Sequence, residues 1–324
     1  MKYIFTFLFS ITFLVCFGQV DPDTLLKERV EELQISSSRV YEKGVVTLNR
    51  KQFLTMAGAL EDPTRLLIKT PGISTANDQA NSVIYHGMPA QYHQWSLYGA
   101  RILNPNHNSN AGTISDLPST SAGGVNMMSG QVIGSLEFNG NPSVKSLGSL
   151  AGMSDIKFRN PYRTGLSTNL SLVGLEAGYD KIFDKGQLMV NYRYSTLAIL
   201  ESLGVNPAGD ILPKYQDLSF KLNFPTKNAG TFGVFGLGGY NNISQVAVAD
   251  STKWRIEEDM YTFQEYERRY MTGLTHSYLL SEDSYIKSQI SASGYYQIED
   301  ESFLDPEQNY KQIVNYSDKA TDNS

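Results

Sequence analysis

Three of the four histidines lie in the first third of the chain and could ligate a metal ion or haem. His86, His93 and His107 are separated by seven and fourteen residues. Metal-binding helices carry histidines three or four residues apart, usually with a carboxylate nearby, and this sequence lacks that spacing. We therefore expect ordinary hydrogen bonds from these histidines, and we predict neither a metal site nor a bound cofactor.

Two runs of acidic residues could bind Ca²⁺ or a cationic ligand. They are Glu257-Glu258-Asp259 and Glu299-Asp300-Glu301. A calcium loop places its oxygen ligands at alternating positions, which consecutive carboxylates do not reproduce. Charge runs are usually solvated, so we expect both groups to lie in water-exposed extracellular loops.

The sequence offers no constellation for enzymatic chemistry. Residues 148–152 misplace the serine of a nucleophile elbow, and no helix follows the glycines at 233–239, as a dinucleotide-binding loop would require. The single cysteine, Cys16, lies in an N-terminal apolar run that we expect to be removed. The mature chain then has no thiolate for catalysis or for zinc. We predict that the protein is not an enzyme.

The N terminus has the layout of a secretory signal peptide. Lys2 precedes an apolar run over residues 3–17, and Gly18 completes the small-residue pattern before a cut at Gln19. The run is shorter than the ~20 residues of a membrane-spanning helix. The alternatives are a retained anchor and a lipoprotein acylated at Cys16, for which Val15 is a poor neighbour. We expect residues 1–18 to direct export.

The composition favours membrane strands over a soluble domain. Charged residues make up 19% of the chain, whereas soluble domains carry about 25%. Tyrosine (20), phenylalanine (15) and glycine (27) are abundant, as in strands that combine aromatic belts with a polar lumen. After residue 18 no apolar run is long enough for a membrane helix, so a membrane crossing requires a barrel. The net charge of −6 argues against a nucleic-acid partner.

The second half of the chain alternates between apolar and polar residues with a period of two. In residues 218–224 the apolar side chains are Leu218, Phe220, Leu222 and Phe224, and polar side chains lie between them. The strand candidates are residues 166–172, 175–179, 187–195, 218–224, 231–240, 270–280 and 285–296. Connections at 184–186, 225–230 and 281–284 are short, and those at 196–214, 244–261 and from 299 onward are long. This alternation is typical of outer-membrane barrels.

About seven strands follow from this pattern, with a tight turn or bulge at the phase slip of residues 173–174. Barrels of single bacterial chains close with even strand numbers from about 8 upward, and plugged transporters use about 22. We therefore expect an incomplete barrel, and a sequence that is the N-terminal part of a longer protein.

The first half predicts a small α+β domain. Residues 45–48 read as a strand and residues 50–59 as a helix. A second helix over 62–69 begins with Asp62 as its N-cap and Pro63 at its first position, and Pro71-Gly72 ends it. Residues 83–85, 95–97 and 100–103 are short strands of one sheet.

Four segments of this half resemble the TonB-dependent outer-membrane receptors, particularly the Bacteroidetes type. Pro71-Gly72-Ile73 after a helix is similar to the plug's Pro-Gly-Val, and Tyr85-His86-Gly87 to its Ile-Arg-Gly. The third segment, Leu97-Tyr98-Gly99 followed by Asn104-Pro105-Asn106-His107, is similar to the plug's Leu-Asp-Gly and Asn-Pro-x-His. Residues 147–159, with Gly152 and Asp155, resemble the closing plug strand. His86 replaces an arginine and Tyr98 an aspartate, so the salt bridge between those two positions would be missing.

The resemblance implies a fold class, an α+β plug domain followed by antiparallel transmembrane β-barrel strands. It divides the chain into a signal peptide (1–18), a periplasmic segment (19–43), a plug (44–160) and barrel strands (161–324). The periplasmic segment would hold the TonB box, for which the candidate residues are Glu31, Glu32, Leu33, Gln34, Ile35 and Ser36. The structural motif residues of the plug would be Pro71, Gly72, His86, Gly87, Gly99, Asn104, Pro105, His107, Gly152 and Asp155.

The resemblance also implies active import through the cell outer membrane. The ligand would be scarce or bulky: a siderophore, haem, cobalamin, a peptide or a glycan. The partners would be TonB with its inner-membrane energising complex, outer-membrane lipid and a small extracellular ligand, and the plug and N terminus would lie on the periplasmic side. The alternative is a secreted β-rich adhesin or carbohydrate-binding module, which the alternating connection lengths do not favour.

Overall fold

The computed structural model describes residues 45–56, 58–76, 81–107, 123–141, 149–171, 174–196, 198–199, 203, 214–255, 257–281, 284–305 and 310–323. The predicted signal peptide (1–18) and TonB box (31–36) lie outside these residues. The described chain forms a small α+β part up to residue 158 and an antiparallel sheet from residue 165 onward. None of its helices has the length and apolarity needed to cross a membrane.

The α+β part begins with β1 (Val45–Asn49), α1 (Arg50–Thr55) and α2 (Pro63–Leu67). Asp62 caps α2 as predicted, because its Oδ1 accepts from the backbone N–H groups of Thr64 (2.8 Å) and Arg65 (3.3 Å). The first helix is shorter than the predicted 50–59. It ends at Thr55, and the chain then turns through Gly58 at φ +74° and Glu61 at φ +58°.

A five-stranded sheet forms the centre of this part. Its strands are β1, β4 (Gln94–Leu97), β5 (Ala100–Ile102), β8 (Ile133–Asn139) and β9 (Met153–Phe158). Their order is β1-β8-β9-β4-β5, and only the β4–β9 pair is parallel. Two small hairpins complete the part: β2 (Ile73–Ser74) with β3 (Ile84–Tyr85), and β6 (Asn106–His107) with β7 (Val125–Asn126). Buried side chains such as Leu97, Leu136 and Ile156 form its core.

The second part is one antiparallel sheet in which each strand pairs with the next along the chain. Its strands, β10 to β17, are Gly165–Ser171, Gly174–Phe183, Gly186–Tyr194, Lys214–Pro225, Thr231–Gln245, Tyr261–Ser281, Ser284–Leu304 and Tyr310–Asn323. In the described residues β10 and β17 are the two edges, so the sheet is an incomplete barrel. We refer to this sheet as the wall.

The wall has eight described strands, so the predicted number of about seven was one too low. The missed strand is β17, whose sequence lacks apolar alternation. The predicted turn at 173–174 is present, because Ser171 pairs with Gly174 across residues 172–173. The strict alternation of short and long connections was wrong. The β16–β17 connection spans only residues 305–309, because β15 and β16 extend to 21 residues each.

The two faces of the wall differ in chemistry. On one face an apolar band lies between two rows that contain aromatic residues. Cross-strand pairing joins Tyr194, Gln216, Tyr240, Arg268 and Tyr296 in one row, and Phe224, Phe232 and His276 in the other. On β13, β14 and β15 the rows are eight residues apart, or about 26 Å along a strand. Exposed apolar side chains such as Leu274 (55%) and Ile290 (72%) lie between or beside them.

His93 is a buried titratable group in the core of the α+β part. Its ring packs against Trp95 and Phe138, its Nδ1 lies 3.2 Å from the carbonyl oxygen of Ala151, and its Nε2 has no partner. Burial therefore lowers the pKa of His93 to about 4, because a proton on Nε2 would find no acceptor.

This environment predicts that acid destabilises the α+β part. An unfolded histidine binds its proton near pH 6.5, whereas folded His93 stays neutral down to about pH 4. Between these values the unfolded state binds more protons, so stability falls as the pH falls, by roughly 3 kcal/mol in total. Hydrogen–deuterium exchange of β8 and β9 amides, corrected for intrinsic rates, should show this loss. In His93→Gln the loss should be much smaller, and an unchanged loss would exclude His93 as its source.

Candidate functional site

The candidate site is the interface between the α+β part and the polar face of the wall. Its central contact is a buried carboxylate, Asp217 on β13, which bonds to two cationic or donor side chains. Asp217 Oδ2 accepts from Arg193 Nε (2.8 Å) and Nη2 (2.5 Å), and Asp217 Oδ1 lies 2.5 Å from His107 Nε2. All three residues are at most 3% exposed. Arg193 also donates to the backbone carbonyl of Asn126 at 2.6 Å.

These contacts connect the hairpin β6–β7 to strands β12 and β13. The ring of His107 stacks on Tyr215, with centroids 5.0 Å apart. Gly239 on β14 allows the hairpin to approach, because a Cβ there would meet the His107 ring at 2.7 Å and the sulfur of Met127 still closer. The Asn-Pro-x-His segment predicted from the sequence therefore ends at the wall, where His107 is its anchoring side chain.

A second buried carboxylate of the wall is bound by neutral donors. Glu176 on β11 is 1% exposed, and both of its oxygens lie 2.8 Å from the hydroxyl of Ser129. The side-chain amide of Asn191 on β12 donates to Glu176 Oε2 at 2.8 Å. Burial of a carboxylate without such donors would cost several kcal/mol in folding free energy. Ser129 is therefore needed as a donor to Glu176 of the wall as well as in its own loop.

Two further groups join the wall to the end of β9. Arg159 makes a bidentate pair with Asp180 on β11, at 2.6 and 2.9 Å. Lys221 on β13 donates to the side-chain oxygen of Asn160 at 2.5 Å and lies 5.4 Å from the ring centre of Tyr98. Planar two-point pairing of arginine with a carboxylate fixes orientation as well as position.

Apolar packing at the interface is confined to a few wall residues. Tyr98 lies 4.8 Å from the ring of Phe235 on β14. Met189, Phe235, Leu237 and Met271 of the wall belong to the same buried cluster as the core of the α+β part. The interface therefore combines one apolar contact region with buried polar pairs on either side.

The predicted motif residues fall into three separate places. In the first, Gly72 and Gly87 both have positive φ (+85° and +79°) and flank the β2–β3 hairpin. The N–H of His86 donates to the carbonyl of Gly72 at 3.0 Å, and the His86 ring stacks on Tyr85. A Cβ on Gly72 would approach the His86 ring to 2.9 Å, so glycine after Pro71 has a steric reason.

The second place is the parallel pair β4–β9. Asp155 Oδ1 accepts from the N–H of Gly99 (2.6 Å) and from the hydroxyl of Ser96 (2.9 Å). Burial raises the pKa of Asp155, and these two hydrogen bonds act in the opposite direction. Gly152, at φ +79°, accepts at its carbonyl from the N–H of Gln94 at 3.1 Å. These residues fix the turn after β4 and the start of β9.

The third place is the segment that leads to His107. Asn104 adopts φ +37°, and its Oδ1 accepts from the backbone and side-chain nitrogens of Asn106 at 3.2 and 3.1 Å. The carbonyl of Pro105 accepts from the N–H of Met127 at 2.8 Å. This segment reaches the wall through His107, and the predicted Leu97-Tyr98-Gly99 segment reaches it through Tyr98.

The acidic group at 299–301 is not in a solvated loop, contrary to the prediction. It belongs to β16, where Glu299 (1%) and Glu301 (7%) are buried and Asp300 is exposed on the opposite face. Asp259 of the other acidic group does lie in a connection between strands, residues 246–260, as predicted. Its side chain accepts a hydrogen bond from the N–H of Arg255 at 2.6 Å. No group of three or more potential metal-binding side chains occurs among the described residues.

Replacement of Asp217 tests the central contact. Asp217→Asn leaves Arg193 and His107 without their carboxylate in a buried site, which should cost about 3 kcal/mol. We expect faster hydrogen–deuterium exchange at residues 104–107 and 125–128, with no change at β8. Asp250→Asn is the control, because its pair with Lys253 is exposed and should have no measurable effect. Unchanged exchange at 104–107 in Asp217→Asn would contradict an anchoring role.

Comparison with known proteins identifies the fold. No family model and no curated protein sequence matches the chain. Among solved structures, the chain is similar to the ferric preacinetobactin receptor BauA from Acinetobacter baumannii, with 12% identity and a TM-score of 0.52. The match covers 86% of this chain and 43% of that one.

Two other solved structures match over similar lengths. The siderophore receptor PirA from A. baumannii has 14% identity and a TM-score of 0.49, with 86% of this chain and 43% of that chain covered. A variant of the ferric enterobactin receptor PfeA from Pseudomonas aeruginosa has 12% identity and a TM-score of 0.49, with coverages of 86% and 45%. The chain thus spans less than half the length of these receptors. It has the fold of the TonB-dependent outer-membrane receptors, a plug followed by strands of an incomplete barrel.

Proposed function

We propose that the chain is part of a receptor that imports a scarce or bulky ligand across the outer membrane, gated by its plug and energised through TonB. The observation that carries this proposal is the two-faced wall. One face is an apolar band bounded by aromatic rows, and the other binds the α+β part through buried polar pairs such as Asp217–Arg193. A wall with lipid outside and a plug inside requires this distribution.

The apolar band supports a location in the outer membrane. A separation of about 26 Å along a strand tilted by about 40° spans about 20 Å of membrane thickness, which fits within the ~25 Å apolar band of outer-membrane barrels. The aromatic rings of Tyr194, Tyr240 and Tyr296 then lie at one membrane interface, and those of Phe224 and Phe232 at the other. A secreted soluble adhesin or carbohydrate-binding module would expose this apolar surface to water, so the band speaks against that alternative.

The proposal includes the division of the chain predicted from the sequence. Residues 1–18 act as the signal peptide, 19–43 as the periplasmic segment, 44–160 as the plug and 161–324 as wall strands. The connections at 184–185, 226–230 and 282–283 face the periplasm, because the two longest connections, 195–213 and 246–260, lie at the other end and outer-membrane barrels place their long loops outside. The opposite end of the wall faces the outside of the cell.

Import then proceeds without breaking a bond in the ligand. The ligand, a siderophore, haem, cobalamin, peptide or glycan, binds on the extracellular side, and the plug blocks its passage. The segment Glu31–Ser36 pairs with a strand of TonB by β-augmentation, and energy from the inner membrane remodels the plug. The motif residues of the plug serve this cycle as structural groups, and none of them is catalytic.

A charge in the apolar band tests the membrane location. Leu274 on β15 is exposed within the band, two residues from the row of Phe232 and His276, so Leu274→Arg should cost about 2 kcal/mol in the membrane. We expect less folded protein in outer-membrane fractions, measured by heat-modifiable migration in gels. Leu280→Arg is the control, because Leu280 is equally exposed but lies beyond the row that contains Phe232 and His276. Equal losses in both variants would contradict the assignment of this face to lipid.

Deletion of the gene and deletion of TonB test the import proposal. Both strains should lose growth on the same limiting nutrient when iron chelates, haem, cobalamin, peptides and glycans are supplied one at a time. The physical reason is that a plugged wall passes nothing by diffusion, so import requires energy through TonB. A porin-dependent nutrient such as a small free sugar is the control. Uptake that depends on this gene but continues without TonB would contradict the proposal.

A further inference from the structure

A group of carboxylates lies on the polar face of the wall, on β15 and β16 beside the interface described above. Glu265 and Glu267 on β15 and Glu299 and Glu301 on β16 are each at most 7% exposed. We call these four residues the carboxylate group. They lie near the end of the wall opposite the short connections 184–185, 226–230 and 282–283, which is the extracellular end under the proposed function.

The strand register places like charges opposite each other. Glu265 pairs with Glu299 and Glu267 pairs with Gln297, and Glu301, two residues along from Glu299, lies opposite Phe263. Directly opposed side chains on one face have Cβ atoms only about 5 Å apart, and like charges in such a pair are destabilising. This arrangement therefore costs stability in the molecule as described.

Only part of the charge is compensated within the described contacts. Arg269 binds Glu267, with Nη1 2.8 Å and Nη2 3.1 Å from its two oxygens. The amide of Gln297 donates to Glu265 at 3.1 Å, and that of Asn241 donates to Glu267 at 3.1 Å. The single arginine of the group is thus bound to Glu267.

Two acceptor atoms in the same place have no donor. Glu299 Oε2 and the amide oxygen Oδ1 of Asn241 are buried without a hydrogen-bond partner, in residues that are 1% and 0% exposed. Arg269 Nε is a donor without a partner in the same group. An unpaired carboxylate oxygen in a buried site is costly, and native structures satisfy such atoms with protein, water or a bound species.

We propose that the carboxylate group binds a cationic ligand group that carries N–H donors, such as an ammonium or guanidinium group of the imported ligand. Asn241 and Glu299 lie on strands two apart, whose backbones are separated by about 10 Å. The described residues contain no set of three ligating side chains that could hold a metal ion. An extended polyamine or basic peptide has donors at such spacings.

This inference rests on the proposed function, because it assigns a ligand class to the extracellular side of the same receptor. Glu299 and Glu301 supply the negative charge, and Asn241 supplies a neutral acceptor. Arg269, two residues further along β15, holds Glu267 in place through their ion pair. Selection of cationic ligands follows, because the carboxylates repel anions and leave a buried negative charge until a cation arrives.

The test uses the intact receptor, purified in detergent, and spermidine as the probe. Calorimetric titration at low ionic strength should show that Glu299→Gln and Glu301→Gln each weaken spermidine binding about tenfold. Asp300→Asn is the matched control, because it removes the same charge from the exposed face between these two residues and should change the affinity less than about twofold. Thermal unfolding of Glu299→Gln should occur at the same or a higher temperature, because the substitution removes repulsion without changing shape.

Three results would overturn the inference. Equal weakening of spermidine binding by Glu299→Gln and Asp300→Asn would show that the affinity depends on the net charge of the receptor and not on this site. Absence of spermidine binding to the unaltered receptor would exclude the ligand class, and tighter binding of Mg²⁺ through Glu299 would assign the site to an inorganic ion. The proposed function is tested separately by TonB-dependent growth. If growth requires TonB but spermidine binding does not depend on Glu299, only this inference fails. If spermidine binding requires Glu299 but growth does not depend on TonB, only the proposed function fails.

Discussion

The buried carboxylate of Asp217, shared between Arg193 of the wall and His107 of the α+β part, shows the constraint that shapes this molecule. Under the proposed membrane location, the wall must pair its backbone groups between strands and turn apolar side chains outward. Because side chains alternate along a strand, the residues between them face inward, and polar ones dominate there. Whatever fills the inside must supply hydrogen-bond partners to these side chains, and the α+β part does so with His107, Ser129 and Asn160.

Much of the fold could be predicted from local sequence signals. Asp62 and Pro63 define the start of α2 because capping and proline geometry act over a few residues. Residues 218–224 predict β13 because its outward side chains are all apolar. β17 was missed for the opposite reason, since its apolar residues, such as Ile313, Val314 and Tyr316, do not alternate with polar ones. Its place follows from hydrogen bonding to β16, and pairing with a neighbour is not visible in one strand's own composition.

The candidate site was less predictable than the fold. Arg193, Asp217 and Lys221 are visible in the sequence as charges in the polar phase of their strands, which marks them as inward-facing. Their partners are not visible, because His107 and Asp217 are 110 positions apart and meet only when the two parts dock. The carboxylates at 299 and 301 illustrate the same limit. A charge run suggests a solvated loop, but alternation within a strand sends Glu299 and Glu301 to one face and Asp300 to the other.

The interactions inside the α+β part therefore differ from those that attach it to the wall, and the two sets respond differently to water. The α+β part is held internally by apolar side chains such as Leu97, Leu136 and Ile156, whose exposure would cost about 25 cal/mol per Å². Its attachment to the wall is largely polar. Hydrogen bonds to charged groups, such as those of Glu176 and Lys221, contribute about 1.5–3 kcal/mol each net, because water replaces the lost partner once the groups are hydrated. A plug attached in this way can leave the wall through hydration of its interface while its own core stays intact.

The exception is the region of Tyr98, Phe235 and Met271, where apolar contact with the wall has no substitute in water. Separation of the two parts should therefore be limited by that region together with the fully desolvated Asp217, and the remaining polar pairs set orientation more than strength.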